Sequence, residues 1–164
     1  MAPHSSFDLR AQWMAARPDL DTSPMAVVGP LKHIEALLAT ALEPLYDAAP
    51  VTAPELDVLL KLRYAEGPVI ARRIAESANC SRAAVSKTLA KLESRGYIER
   101  RPSPADRRAA LVTATDAGRE VVDAMFPRQL AVEADVLKGL GADRERVVSA
   151  LNLLARVLEQ RVRG

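Results

Sequence analysis

The sequence predicts a mainly helical fold with one small β-hairpin, and residues 67–113 carry this prediction. Two short helical segments lie there, separated by the turn-forming stretch ESANCS. Two β-prone segments follow, Tyr97–Arg100 and Ala110–Thr113, joined by a loop that contains two prolines. Helix, turn, helix and hairpin in this order form a winged helix-turn-helix, and the flanking segments have the periodicity of helices that would support it.

The second helix of the pair is predicted to begin after Ser81, whose hydroxyl can accept a backbone N–H bond in the first turn. Val85, Leu89 and Leu92 form one apolar stripe. The opposite face carries only short, polar or basic side chains, namely Ala83, Ser86, Lys87, Ala90 and Ser94. A helix in a DNA major groove needs such a face, because short side chains let its axis approach the bases. The spacing alone fits a plain helical hairpin equally well.

The first helix of the pair is predicted to begin at Gly67-Pro68, since the fixed φ of proline suits a first helical position. Ile70, Ile74 and Ala78 would form its apolar stripe. Gly96 is predicted to end the second helix as a C-cap, because glycine readily adopts positive φ.

The hairpin loop RPSPADRRA is a candidate DNA-contacting wing. Asp106 stands close enough along the chain to orient the guanidinium of Arg108. An arginine held at a hairpin tip can enter the minor groove, where the potential is most negative. The alternative is a solvated loop with a weak surface ion pair.

Charge is unevenly distributed along the chain. The 164 residues carry a formal net charge of only +2, and this length fits one domain. Residues 68–108 contain ten basic and four acidic side chains, a net charge of +6, which leaves −4 on the rest. A basic segment on an acidic body is typical of a surface that faces phosphates.

Cys80 is the only cysteine, so no intrachain disulfide is possible. It is either a small side chain that packs in the turn or a redox sensor. No apolar run approaches the roughly 20 residues that a membrane helix needs, and we expect a cytoplasmic protein without a membrane partner. His4 and His33 fit no metal spacing, and neither a glycine-rich phosphate loop nor a nucleophile elbow occurs, so we expect no enzyme, cofactor or metal site.

Helices are predicted on both sides of this unit, at residues 7–17, 25–46, 54–66 with Thr52 as cap, 115–137 and 143–162. The second of these is expected to bury Val27 or Val28, Leu31, Ile34, Leu38, Leu42 and Leu45. The last one carries the apolar stripe Val147, Leu151, Leu154, Leu158 and Val162. That stripe needs a partner, which could be the N-terminal helices of the same chain or a second copy.

The run from Leu56 to Gly118 resembles the MarR family of dimeric bacterial transcription regulators. The resemblance rests on the stretch L-E-x-x-G-x-I-x-R ending at Arg100, the D-x-R wing Asp106–Arg108, and the segment ATDAG ending at Gly118. It implies an intertwined homodimer held by N- and C-terminal helices. Residues 1–52 would then form the extra and dimerisation helices, 53–114 the DNA-binding region, and 115–164 the C-terminal dimerisation helices of one compact domain.

The chain most resembles the branch with an extra N-terminal helix, which includes urate-responsive regulators. The ligand residues of that branch fall on Trp13, Asp57 and Arg100, whereas Thr88 stands where an arginine is expected, which argues against urate itself. Other roles remain open: Trp13 could anchor its helix, the helix dipole could stabilise Asp57, and Arg100 could contact a phosphate.

Residues and resemblance together predict a sequence-specific transcriptional repressor that a small anionic or aromatic ligand releases from a palindromic operator on double-stranded DNA. The residues expected to bind DNA are Ser81, Arg82, Ser86, Lys87, Lys91, Asp106, Arg107 and Arg108. The alternative is a winged-helix protein that binds small molecules or senses redox state without acting primarily through DNA.

Overall fold

The structure is a computed structural model that describes residues 6–78, 81–104 and 109–163, without the side chains of residues 6–8, 77–78, 82 and 163. The helices are α1 (Ser6–Ala16), α2 (Met25–Tyr46), α3 (Ala53–Arg63), α4 (Ala71–Ala78), α5 (Arg82–Ser94), α6 (Asp116–Val136) and α7 (Arg144–Arg163), with a 3-10 helix at Lys138–Asp143 between the last two. The strands are β1 (Val69–Ile70), β2 (Ile98–Pro102) and β3 (Ala110–Ala114). The predicted mainly helical winged helix-turn-helix is confirmed.

The three strands form an antiparallel sheet in the order β1-β3-β2. β1 pairs Val69 with Val112 and Ile70 with Leu111, so the prediction that a helix begins at Gly67-Pro68 is wrong. The two β-branched residues after Pro68 complete the edge of the sheet, and α4 begins only at Ala71. Of the predicted stripe, Ile74 is buried, whereas Ile70 lies in the strand and is exposed.

The core lies between α3, α4, α5, α6 and the sheet. Its largest fully buried side chains are Leu56, Leu59, Ile74, Leu89, Leu92, Ile98, Val112 and Val122. Val85, Leu89 and Leu92 are all buried, which confirms the predicted inward stripe of the second helix of the pair. Burial of this stripe fixes which face of α5 points outward.

The long helices α2 and α7 stay largely uncovered. Val27 and Ile34 are 50% and 49% exposed, and no residue of α2 is fully buried, so the expected burial of its apolar residues is wrong for a single chain. On α7, Leu151 and Leu158 are each 48% exposed. α2 packs mainly against α1 and α6, and α7 mainly against the preceding 3-10 helix. Both helices therefore present apolar surface that this chain does not cover.

α2 also corrects the expectation about membrane segments. Among the described residues, Met25–Tyr46 is a helix long and apolar enough, by length and composition, to cross a membrane. A helix that packs against another protein surface passes the same test, so this is weak evidence of insertion. The helix packs against α1 and α6 and carries Lys32 and Glu35.

Candidate DNA-binding interface

The outer face of α5 is small and basic, as predicted. The Ser81 hydroxyl caps the helix by accepting the backbone N–H of Ala84 at 3.1 Å, and its own hydrogen is left free to donate. Ser86, Lys87 and Lys91 are all exposed on this face. Neither lysine makes an ion pair within the described part of the chain. The ammonium groups are therefore available to phosphates.

The far end of α5 closes in a Schellman motif. Gly96 has φ +74° and donates its N–H to the Glu93 carbonyl, while the Tyr97 N–H bonds the Leu92 carbonyl, each at 2.9 Å. The prediction that Gly96 ends the helix is confirmed, since Gly96 is the positive-φ residue directly after the cap residue Arg95. This turn sends the chain directly into β2 and so places the wing strands beside α5.

The base of the wing is described, and its tip is not. The Ser103 N–H donates to the Ala109 carbonyl at 2.9 Å and closes the loop. The predicted contacts of Asp106, Arg107 and Arg108, the side chain of Arg82 and the two roles considered for Cys80 lie outside the described residues.

Arg100 is held by an ion pair with α5. Its Nε donates to Glu93 Oε2 at 2.8 Å, and both side chains are about one-third exposed. This ion pair ties β2 to α5. The sequence interpretation considered a ligand or a phosphate as the partner of Arg100 and missed Glu93, although the spacing across the Gly96 turn would bring the two together.

A cavity of about 420 Å³ lies between α3 and α5. Asp57 and Thr88 line the same cavity, together with Lys61, Lys87 and Lys91. The Thr88 hydroxyl donates to the Ala84 carbonyl at 3.1 Å and is thus engaged by its own helix. Lys61 is a site residue that the sequence interpretation missed. Its place four residues after Asp57 on the same helix face was the available signal.

Asp57 sits in an environment that disfavours its charge. Partial burial raises the pKa of its carboxyl, Lys61 acts against this shift, and Glu133 of α6 adds to it. Burial, Asp57 and Glu133 likewise raise the pKa of Tyr46, whose hydroxyl donates to Gln129 Oε1 at 2.7 Å. Gln129 Nε2 in turn donates to Glu133 at 2.7 Å. A hydrogen-bonded chain therefore links α2 to α6 beside the cavity.

Asp57 and Arg100 line two different cavities among the described residues, and Trp13 lines neither of these two. Arg100 lines a separate groove of about 220 Å³ with Arg72 and Ser86, on another side of α5. Trp13 is 44% exposed on α1, which packs chiefly against α2. Within the described residues no cluster of His, Cys, Asp or Glu could hold a metal ion.

Comparison with known proteins supports this description. The sequence model of the MarR family matches residues 51–110. The transcriptional regulator PecS of Dickeya dadantii is 28% identical over 146 residues, which are 88% of this chain and 88% of PecS. The structure of BpsR from Bordetella bronchiseptica, whose DNA binding is regulated by 6-hydroxynicotinic acid, superimposes with a TM-score of 0.72 at 25% identity, over 79% of this chain and 98% of BpsR.

A second solved structure shows a related chain on its nucleic acid. CouR of Rhodococcus jostii RHA1, a transcriptional repressor bound to a 23-mer DNA duplex, superimposes with a TM-score of 0.66 at 25% identity, over 83% of this chain and 98% of CouR. These proteins are regulators, which confirms that the chain is not an enzyme. The matched segment covers most of the winged helix described above, and over it the chain is similar to DNA-binding transcriptional regulators of the MarR family.

Proposed function

We propose that the chain is a cytoplasmic repressor that binds a palindromic operator as a homodimer and leaves it when a small anionic or aromatic ligand binds. The observation that carries the proposal is the position of α5. Its outer face presents Ser86, Lys87 and Lys91, and the two lysines, with Thr88, also line the adjoining cavity between α5 and α3. DNA and ligand would thus act on one helix.

The uncovered apolar faces of α2 and α7 support the homodimer. A contiguous apolar face of this kind is typical of an interface, and most homodimers are two-fold symmetric. Two recognition helices related by that symmetry would read half-sites about 10 base pairs apart on one face of the duplex. The operator is therefore expected to be a palindrome.

The cavity favours an anionic ligand with an apolar body. Lys61, Lys87 and Lys91 supply cations, and Val58 and Val85 supply apolar wall. The related BpsR responds to 6-hydroxynicotinic acid, a small aromatic acid. Thr88 provides no charge where the urate-responsive branch has arginine, so an aromatic carboxylate fits this cavity better than urate. We infer that Trp13 and Arg100 also contact the ligand, once dimerisation or closure of the cavity brings them near it.

The proposal is tested by selecting bound fragments from a random DNA pool with the full chain. We expect enrichment of a palindrome whose half-sites lie about 10 base pairs apart. Lys138→Ala, which removes an exposed lysine remote from α5, should enrich the same sequence. Enrichment of a single asymmetric half-site would contradict the dimeric arrangement, and no enrichment would contradict the function.

A further inference from the structure

A buried carboxylate and an arginine join the start of α3 to the end of the recognition helix. Arg95, the C-cap residue of α5, places Nη2 at 2.6 Å from Glu55 Oε1. The side chain of Glu55 is only 4% exposed, and its other oxygen accepts the Thr52 N–H at 2.8 Å. One carboxylate oxygen is therefore bound by the residue that ends α5, and the other by the residue that precedes α3.

Arg95 holds more than one segment at once. Its Nη1 donates to the Pro50 carbonyl at 2.7 Å, and its Nε donates to the Lys91 carbonyl at 3.2 Å within α5. Its guanidinium also lies 5.5 Å from the centre of the Tyr97 ring. The planar fork of arginine can satisfy several acceptors in fixed directions, which the point charge of lysine cannot do.

The pair stays ionised in its buried setting. Burial opposes the charge of Glu55, but hydrogen bonds from Arg95 and Thr52 outweigh it and leave the pKa of that carboxyl below its usual value. A buried carboxylate that has lost its partner is costly, so the two side chains hold each other in place.

We propose that Glu55 and Arg95 are positioning residues for DNA recognition, which fix the tilt of α5 against α3 without contacting DNA. The inference rests on the proposed role of α5 as the reading helix. Base contacts require side chains such as Ser86 to meet base edges in register, whereas phosphate attraction tolerates a shifted helix. Loosening the pair should therefore weaken specific binding more than non-specific binding.

The test measures the affinity of full-length variants for the selected operator and for unrelated DNA, at several salt concentrations. Arg95→Met should lower operator affinity about tenfold or more, with unrelated-DNA affinity and the salt slope unchanged, because no phosphate contact is lost. Arg95→Lys should recover part of the operator affinity, since an ammonium can reach Glu55 but cannot also hold the Pro50 carbonyl. The double variant Glu55→Leu/Arg95→Leu removes both charges, leaves none unpaired and should behave like Arg95→Met.

Arg63→Met is the matched control, because it breaks the ion pair of Arg63 with Asp123 between α3 and α6, remote from α5. It should leave the ratio of specific to non-specific affinity unchanged. If wild type and both Arg95 variants had the same ratio of specific to non-specific affinity, the positioning role would be overturned while the proposed function would stand. A shallower salt slope in Arg95→Met would also overturn it, by making Arg95 a phosphate contact. A wild-type protein that prefers no sequence would overturn both.

Discussion

Single residues fix the joint between the recognition helix and α6. The Thr115 hydroxyl donates to the Gly96 carbonyl at 2.7 Å and accepts the Gly118 N–H at 3.1 Å. The Thr115 N–H also bonds the Tyr97 carbonyl at 3.1 Å. Gly118 is buried against the same carbonyl. The segment ATDAG, known from the sequence only as part of a resemblance, therefore has a physical reason: the end of α5 and the start of α6 meet here without room for a side chain.

Gly118→Ala is expected to destabilise the fold by about 2 kcal/mol, because its Cβ would collide with the backbone oxygen of Tyr97 and force the two segments apart. Denaturant unfolding at fixed protein concentration measures this. Gly139→Ala is the control, since its Cβ would meet no atom within 4 Å. Equal free energies of unfolding for the two variants would show that the joint is not tight.

At the scale of elements, the ligand proposal concerns α1 and α3. Trp13→Ala and Asp57→Asn should each weaken release of the operator by small aromatic carboxylates while leaving operator affinity itself unchanged, because neither residue lies on the outer face of α5. A titration of DNA binding against ligand concentration measures this. Lys32→Ala, on an exposed face of α2, serves as control. If Trp13→Ala released the operator at the same ligand concentration as wild type, Trp13 would not belong to the ligand site.

Helices were predictable from the sequence where local chemistry sets their ends. Ser81, Gly96 and Thr115 act on neighbours within a few residues, so caps and periodicity together placed α5 and α6 closely, whereas periodicity alone placed α2. β1 was missed because a strand of two residues is defined by its pairing with β3, which no local pattern encodes.

Contacts between distant parts of the chain could not be predicted from the sequence, for the same reason. The outward face of α5 follows from periodicity and was predicted correctly. The ion pair of Glu55 with Arg95 joins residues of two different helices, and only the packing of α3 against α5 brings them together. The burial of the apolar residues of α2 within one chain was overestimated for a related reason. The apolar stripe indicates that α2 packs against another surface, but not whether the same chain or a second copy supplies that surface.

At the scale of the whole molecule, the α7 stripe is expected to hold two copies together. Leu151→Glu/Leu158→Glu should convert a dimer into a monomer of 17.8 kDa and sharply lower operator affinity, because charges would be buried without partners. Sedimentation measures the mass. Gln160→Glu places the same charge on the opposite side of α7 and should leave the dimer intact. A wild-type monomer would contradict the arrangement.

The claim on which the rest depends is that α5 meets DNA phosphates and bases through its outer face. The salt dependence of operator affinity, compared between wild type, Lys87→Ala and Lys138→Ala, tests it most directly. Each phosphate contact contributes about 0.9 to the slope of log affinity against log salt, so Lys87→Ala should lower the slope by about one unit per subunit, with Lys138→Ala unchanged. Identical slopes for all three proteins would contradict the account.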